Sequence, residues 1–432
     1  MGHADAARSV QDVPRTEHDS RASWVRLAIS LAITTIGGAG MWCVVVVLPA
    51  VQAEFGLDRS AATLPYVGLM VGIASGGMLL GRLSDRFGIV PVSVGGGVLL
   101  GSGFIAAALA PNLALFVAAH AILIGLGCSA SFGPIMADVS FWFRRRRGIA
   151  VAIVASGNYL AGAIWPPIVQ HATAQYGWRA TLATVGAICL ATLLPLALAL
   201  TRGPARPVAA DPTHGVAASE GGGVRVPAGT AVPGMRPGLV QMLLIVAGVS
   251  CCVAMSMPQV HIVAYCGDLG YGPARGAEML AMMLGFGIVS RVASGFVADR
   301  VGGLMTLLVG SGLQCVALLL YLMFDSLPSL YVISILFGLF QGGIVPSYAI
   351  IVREVFPPAE AGQRVGICVA ATLVGMALGG WMSGLIFDLT GTYRAAFANG
   401  VAWNVLNQAI VIALILRLSG RSSRLRPATA AA

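Results

Sequence analysis

Arg291 stands alone inside an apolar run from Gly276 to Ala298, and its charge is the first feature of this sequence that could do chemistry. A guanidinium is always protonated and offers a planar fork of donors that a carboxylate can fill with two parallel hydrogen bonds. Eight residues later come Asp299 and Arg300, inside Gly295-Phe-Val-Ala-Asp-Arg-Val-Gly302. That segment repeats Gly81-Arg-Leu-Ser-Asp-Arg-Phe-Gly88, so Gly, Asp, Arg and Gly recur at a constant offset of 214 residues. At the same offset Arg291 falls on Gly77, and so has no copy. The chain thus offers two kinds of chemistry. Duplicated Asp-Arg pairs can make and break ion pairs between helix ends, and one unduplicated cation can hold an anion.

The depth of Arg291 sharpens this. Eight helical residues put it about 12 Å from Asp299 at about 1.5 Å per residue. In a membrane that is too deep for easy snorkelling, and a cation there costs at least about 2.5–3.5 kcal/mol unless a polar cavity or partner receives it. No carboxylate is expected at its depth. Glu54, Glu278 and Asp388 lie towards one end of their runs, and Asp138 lies towards the other. An anionic ligand is the natural partner, and a single cation favours a monoanion. Six further residues could line the same cavity: Trp42, Tyr66, His120, Asn158, Tyr159 and Gln341. His120 reads as the one histidine well inside a span and could relay protons, though a contact between helices explains it as well.

The elements that must carry these residues follow from composition. Hydrophobic residues make up 57% of the 432 and charged residues 10%, with a mean hydropathy of +0.85. Such a chain has too little polar surface for water, and its apolar runs are too long for membrane β-strands. Twelve stretches approach the roughly 20 residues that cross a bilayer. They lie at about 27–51, 61–81, 89–110, 113–138, 148–170, 179–201, 238–262, 276–298, 303–324, 329–352, 363–387 and 395–418, and are numbered spans 1 to 12. The expected fold is all-α: an N-terminal tail (1–26), a six-span half (27–201), a Gly-, Pro- and Ala-rich linker (202–237), a second six-span half (238–418) and a C-terminal tail (419–432).

All 26 basic residues are arginine. Without lysine the chain has neither a phosphate-binding loop of the G-x-x-x-x-G-K-[ST] kind nor a Schiff-base residue, so ATP hydrolysis of that kind is excluded. With both termini on one side, the tails and loops there carry 21 arginines, and the opposite loops carry four (Arg59, Arg179, Arg275, Arg394). This bias places both termini in the cytoplasm and explains the +9 net charge and the run Arg144–Arg147 without nucleic acid. The eight cysteines are scattered through apolar runs without metal-ligand or disulfide spacing. Neither cofactor nor metal is called for. The halves share other landmarks: Glu54-Phe-Gly56 matches Asp268-Leu-Gly270 at the same offset, and Trp178-Arg179-Ala180 is echoed by Tyr393-Arg394-Ala395. Two parallel six-helix halves are one known transporter architecture.

These residues resemble the major facilitator superfamily, whose loop motif G-x-L-x-D-R-x-G is matched by Gly81, Leu83, Asp85, Arg86 and Gly88. Its second copy keeps Gly295, Asp299, Arg300 and Gly302. The resemblance implies a gating cluster in which Asp85 and Arg86 meet an acid at the end of span 4, where Asp138 lies. A narrower resemblance is to the monocarboxylate transporter and oxalate–formate exchanger branch. It rests on Trp142-Phe-Arg-Arg-Arg-Arg-Gly-Ile-Ala150, on Ala155-Ser-Gly157, on Arg291, and on Gly379-Gly-Trp-Met-Ser-Gly-Leu-Ile-Phe-Asp388. It implies that Arg291 binds substrate. Two departures stand out: the acid that monocarboxylate transporters carry one turn before this arginine is Gly287, and the exchanger's span-11 lysine is missing.

The expectation is a monomeric secondary transporter of the bacterial inner membrane. It would move a small organic anion, a monocarboxylate, by alternating access, with protons as a potential co-substrate. Proton-driven efflux of drugs or metabolites is the alternative. It rests on Gly148 and Gly157 in span 5, although the Gly-Pro element of that class is interrupted by Gly162-Ala-Ile-Trp-Pro166. An enzyme would need His, Asp, Ser or Cys clustered at one depth, and the sequence offers none.

Overall fold

The computed structural model describes residues 19–143, 145–201, 232 and 235–424. The expected N-terminal tail as far as residue 18, Arg144, nearly all of the linker and the last residues of the C-terminal tail lie outside the described residues. Among the described residues, eleven helical segments are long and apolar enough to cross a membrane. One of them, Arg147–Ala199, has 53 residues. At about 1.5 Å per residue it would be about 80 Å long, more than twice a bilayer's hydrocarbon core. It bends at Gly177, whose φ of 79° and ψ of 159° are non-helical, and so supplies spans 5 and 6. Among the described residues the crossings therefore number twelve.

The first helix begins earlier than the boundary at 27. Ser20 caps Arg21–Gly37 by accepting from the Ser23 amide, and Arg26 is buried inside the bundle. Polarity suggested a tail here, but Arg26 finds a partly buried carboxylate partner that makes a further helical turn stable.

The repeat is visible in the backbone. Gly88 (φ 89°, ψ 171°) and Gly302 (φ 82°, ψ 170°) end spans 2 and 8 in the same conformation. Only glycine adopts that region readily, so the motif's last glycine is a helix stop that lets the next span start at once. Gly56 with Gly270 and Gly177 with Gly391 are further positive-φ pairs at the offset of 214. Within each half, small residues bring helices close: a Cβ at Gly127 would lie 2.5 Å from the Leu100 amide, and one at Gly375 2.5 Å from the Val249 carbonyl.

The two halves touch over only part of their length. On span 11, a Cβ at Gly384 would meet the Arg59 carbonyl at 2.9 Å, and one at Gly380 would meet the Tyr66 ring at 3.2 Å. Gly362 lies on the same face of that helix as Gly380, 18 residues or five turns of about 3.6 away, yet has nothing within 4 Å. On span 2, Gly77 shares the face of Tyr66 to within about 20°, and it too faces open space. The second seam behaves alike. Gly162 packs on Leu284 and Gly287 on Tyr159, whereas Gly295 meets nothing. The halves therefore close together at the end bearing Glu54, Asp268 and Asp388 and diverge towards the arginine-rich end. Arg291 lies between Gly287 and Gly295, where the divergence begins.

Candidate functional site

Three interrupted helices build the surroundings of Arg291. Span 5 breaks at Ser156, between helices Arg147–Ala155 and Gly157–Ala199. Span 10 breaks at Gly342 and Gly343, between Leu327–Gln341 and Ile344–Val355. Span 1 breaks at Gly38. Interruptions of this kind expose backbone groups at membrane depth, which is tolerated where they face protein or a polar cavity. Here the Ala155 carbonyl accepts from Arg291 Nη1 at 3.0 Å. The Gly342 amide donates to Ser290 Oγ at 3.1 Å, and a Cβ on Gly342 would lie 2.7 Å from the Arg291 nitrogen. Spans 5, 8 and 10 are thereby drawn together at one level, and the Ala155-Ser-Gly157 motif acquires a structural meaning as a partner for the arginine.

The guanidinium itself lies over the Tyr159 ring, 4.5 Å from its centroid. Its Nε is buried and has no hydrogen-bond partner. Among the described residues no carboxylate lies within 4.0 Å of it. The ring contact is worth about 0.5–2 kcal/mol and leaves the charge unneutralised. The same ring explains the glycine one turn before Arg291. A Cβ at Gly287 would lie 2.5 Å from Tyr159 Cε1, so an acidic side chain has no room there. The tyrosine fills the space that the family's acid would take.

The other candidates divide. Tyr159 touches Arg291, and Asn158 lies beside it, half-buried, its carbonyl accepting from the Trp42 indole at 3.0 Å and its amide donating to Met41 Sδ at 3.7 Å. Trp42 is buried and ties span 1 to span 5. Tyr66 is buried against Gly380, its hydroxyl unpartnered. Gln341 is buried and accepts from Gln259 Nε2 at 2.7 Å, leaving Gln341 Nε2 and Gln259 Oε1 without partners. His120 is not brought into the cleft. It is fully buried within the N-terminal half in a stretch of π-helix (Ala119–Ile124), with Nδ1 bonded to the Phe116 carbonyl of its own helix at 2.8 Å. Nor is it the one interior histidine. His261 is buried in span 7, bonded to the Tyr393 hydroxyl and the Gly380 carbonyl.

The gating residues are also arranged differently from the pattern the resemblance implies. Asp85, Arg86, Asp299 and Arg300 are exposed at the arginine-rich end. Asp138 turns instead to Arg26, whose Nε and Nη2 reach its two oxygens at 2.7 and 2.9 Å while the guanidinium covers the Trp142 ring. An acid-on-motif contact is present in the other half. Glu354, at the end of span 10, accepts from the Gly303 amide at 3.0 Å, beside the motif's final Gly302. Glu354, Gln259, His261 and Arg26 were not singled out from sequence. Glu354 had a signal, since it follows Asp138 by 216 residues, close to the repeat.

The closed end is held by charged groups. Arg59, in the link between spans 1 and 2, pairs with Asp268 at the end of span 7 at 2.9 Å. Asp388, from span 11, accepts from the Arg59 and Ser60 amides at 2.8 Å each. Both contacts join one half to the other.

The family model of the Major Facilitator Superfamily matches residues 30–324 and 279–431. Monocarboxylate transporter 13 of Bos taurus is 28% identical over 343 residues, covering 77% of this chain and 75% of that protein. An MFS-type transporter of Bacillus subtilis, YcxA, is 26% identical over 353 residues, covering 80% and 83%. Among solved structures, the nucleoside transporter NupG superposes with a TM-score of 0.70 at 12% identity, over 91% of this chain and 99% of that one. Twelve crossings in two repeated halves and a family match along almost the whole chain lead to one assignment. The chain is a multi-pass membrane transporter that belongs to the major facilitator superfamily.

Proposed function

We propose that this transporter carries small organic anions of the monocarboxylate class, with Arg291 holding the carboxylate at the apex of the cleft. The observation that carries the reading is the unneutralised guanidinium. It has a buried, unpartnered Nε, an aromatic ring beneath it, and no carboxylate within 4.0 Å among the described residues. A carboxylate bound there would supply the missing charge and hydrogen-bond acceptors. The similarity to proteins named monocarboxylate transporters supports the same class. A cationic drug would have to approach the arginine against its charge, which weighs against the efflux alternative.

The reading extends to orientation and coupling. The arginine-rich end, into which the cleft opens, faces the cytoplasm of a bacterial plasma membrane, with both termini on that side, in keeping with the 21-to-4 arginine bias. Substrate moves as the halves rock about Arg291, exposing the site to each side in turn. His120 sits away from the cleft, and Gly287 replaces the acid that would take up a proton beside Arg291. Exchange of one anion for another, or entry of a proton on the substrate itself, therefore fits better than a protein-bound proton.

The test is uptake of labelled carboxylates into proteoliposomes, comparing the wild type with Arg291→Gln across monocarboxylates, dicarboxylates and neutral analogues. Saturable uptake of monocarboxylates that falls at least about tenfold in the variant is expected, the scale of losing a charge-assisted hydrogen bond. Undiminished uptake by the variant contradicts the assignment.

A further inference from the structure

The two halves treat one duplicated ion pair differently. In the N-terminal half, Glu54 takes Arg179 Nη2 at 2.7 Å and Nε at 3.0 Å, while Arg179 Nη1 anchors on the Ala108 carbonyl at 2.7 Å. At the offset of 214, Glu54 corresponds to Asp268 and Ala108 to Leu322, and Arg394 follows Arg179 by 215. The anchor is reproduced, since Arg394 Nη2 donates to the Leu322 carbonyl at 3.1 Å. The carboxylate is not. Asp268 is paired instead with Arg59 of the other half. The Arg59 guanidinium also lies over the Phe387 ring at 4.8 Å.

We infer that Asp268 exchanges partners. In the state described here it binds Arg59 and helps to hold the two halves together at this end. When the halves separate there, it turns to Arg394 and forms the pair that Glu54 and Arg179 already make in the first half. Arg394 is anchored on span 9 through the Leu322 carbonyl, as Arg179 is on Ala108 in the first half, so the exchange requires the departure of Arg59 and a turn of the Asp268 side chain towards Arg394. Exchange matters energetically because opening would otherwise cost the ion pair that Asp268 makes with Arg59. Two alternative arginines keep it paired on both sides of the transition and make the junction two-state. The Glu54–Arg179 pair, confined within one half, serves as the fixed reference copy.

The inference rests on the alternating-access reading above, and the two can fail separately. The measurement is the distance between spin labels on Asp58→Cys and Ala274→Cys, exposed positions on opposite halves at this end. It is made in full-length protein in lipid nanodiscs, with the eight native cysteines replaced. The wild type should show a short and a long population. Arg59→Ala should raise the long-to-short ratio about two- to fivefold, the range for a partly exposed ion pair, and Arg394→Ala should lower it by a similar factor. Arg394 also holds the Leu322 carbonyl, so each variant is repeated with Asp268→Asn. There the Arg394→Ala effect should vanish under partner exchange and persist if Arg394 acts only as an anchor. A long population that ignores Arg394, or an Arg394 effect that survives Asp268→Asn, overturns the exchange alone. A single short distance in every variant overturns both the exchange and the alternating-access reading.

Discussion

At the scale of single residues, the charges inside this protein are distinguished by whether the chain answers them. Arg26 is buried and Asp138 partly buried, with side chains 7% and 12% exposed, and they are bonded to each other through two nitrogens and two oxygens. Removing one partner strands the other in low dielectric. Arg26→Met should therefore destabilise the protein by about 3–5 kcal/mol, and Arg26→Met with Asp138→Leu should recover most of that loss, as read by thermal unfolding in detergent. A cost in the double variant equal to the sum of the single ones would show that the two are not coupled. Arg291 is the opposite case. Its contacts are a backbone carbonyl and an aromatic face, which orient the guanidinium and leave its charge to be met by something else. The exchange of an acid for Gly287 belongs to the same design, because Tyr159 takes both the space and the contact with the arginine.

At the scale of the helix, the repeat motif divides into a stop and a charged pair. Gly88 and Gly302 supply the stop through nearly identical dihedrals that other residues rarely adopt. No atom stands within 4 Å of a Cβ at Gly88, and at Gly302 the nearest is a Glu354 carboxylate oxygen at 3.4 Å. Gly88→Ala and Gly302→Ala should each cost about 1–3 kcal/mol through backbone strain, with similar values for the two, measured as loss of thermal stability. Unequal costs would locate the difference at Glu354, which touches the second copy. Much at this scale was legible in the sequence. Apolar length gave the crossings, the offset of 214 gave the two halves, and the lone arginine marked the candidate site. The partners of Asp138 and Glu354 were not legible, because which acid meets which helix end depends on side-chain reach across tertiary contacts, and the motif carries no record of that. The burial of Arg26 was hidden for the same reason: its neighbours in sequence are polar, and its partner lies 112 residues away.

At the scale of the whole molecule, the halves pack closely at one end and stand apart at Gly77, Gly295 and Gly362 towards the other, and Arg291 sits at the boundary. The pattern predicts which positions a water-soluble thiol reagent can reach from the arginine-rich side. With Cys315 replaced, since the other native cysteines are buried, Gly77→Cys and Gly362→Cys should react readily, and Gly380→Cys, packed against Tyr66, should not. Equal reactivity at all three would contradict a cleft that narrows towards Tyr66. A monocarboxylate that holds the halves closed around itself should slow the first two reactions.

The central claim is that an anion completes the charge of Arg291, and equilibrium binding tests it most directly. Titrating purified protein with a monocarboxylate should give saturable binding to the wild type, weakened about tenfold or more by Arg291→Gln and only partly restored by Arg291→Lys, which keeps the charge but loses the planar fork. Binding of equal strength to the wild type and Arg291→Gln would show that the carboxylate is held elsewhere.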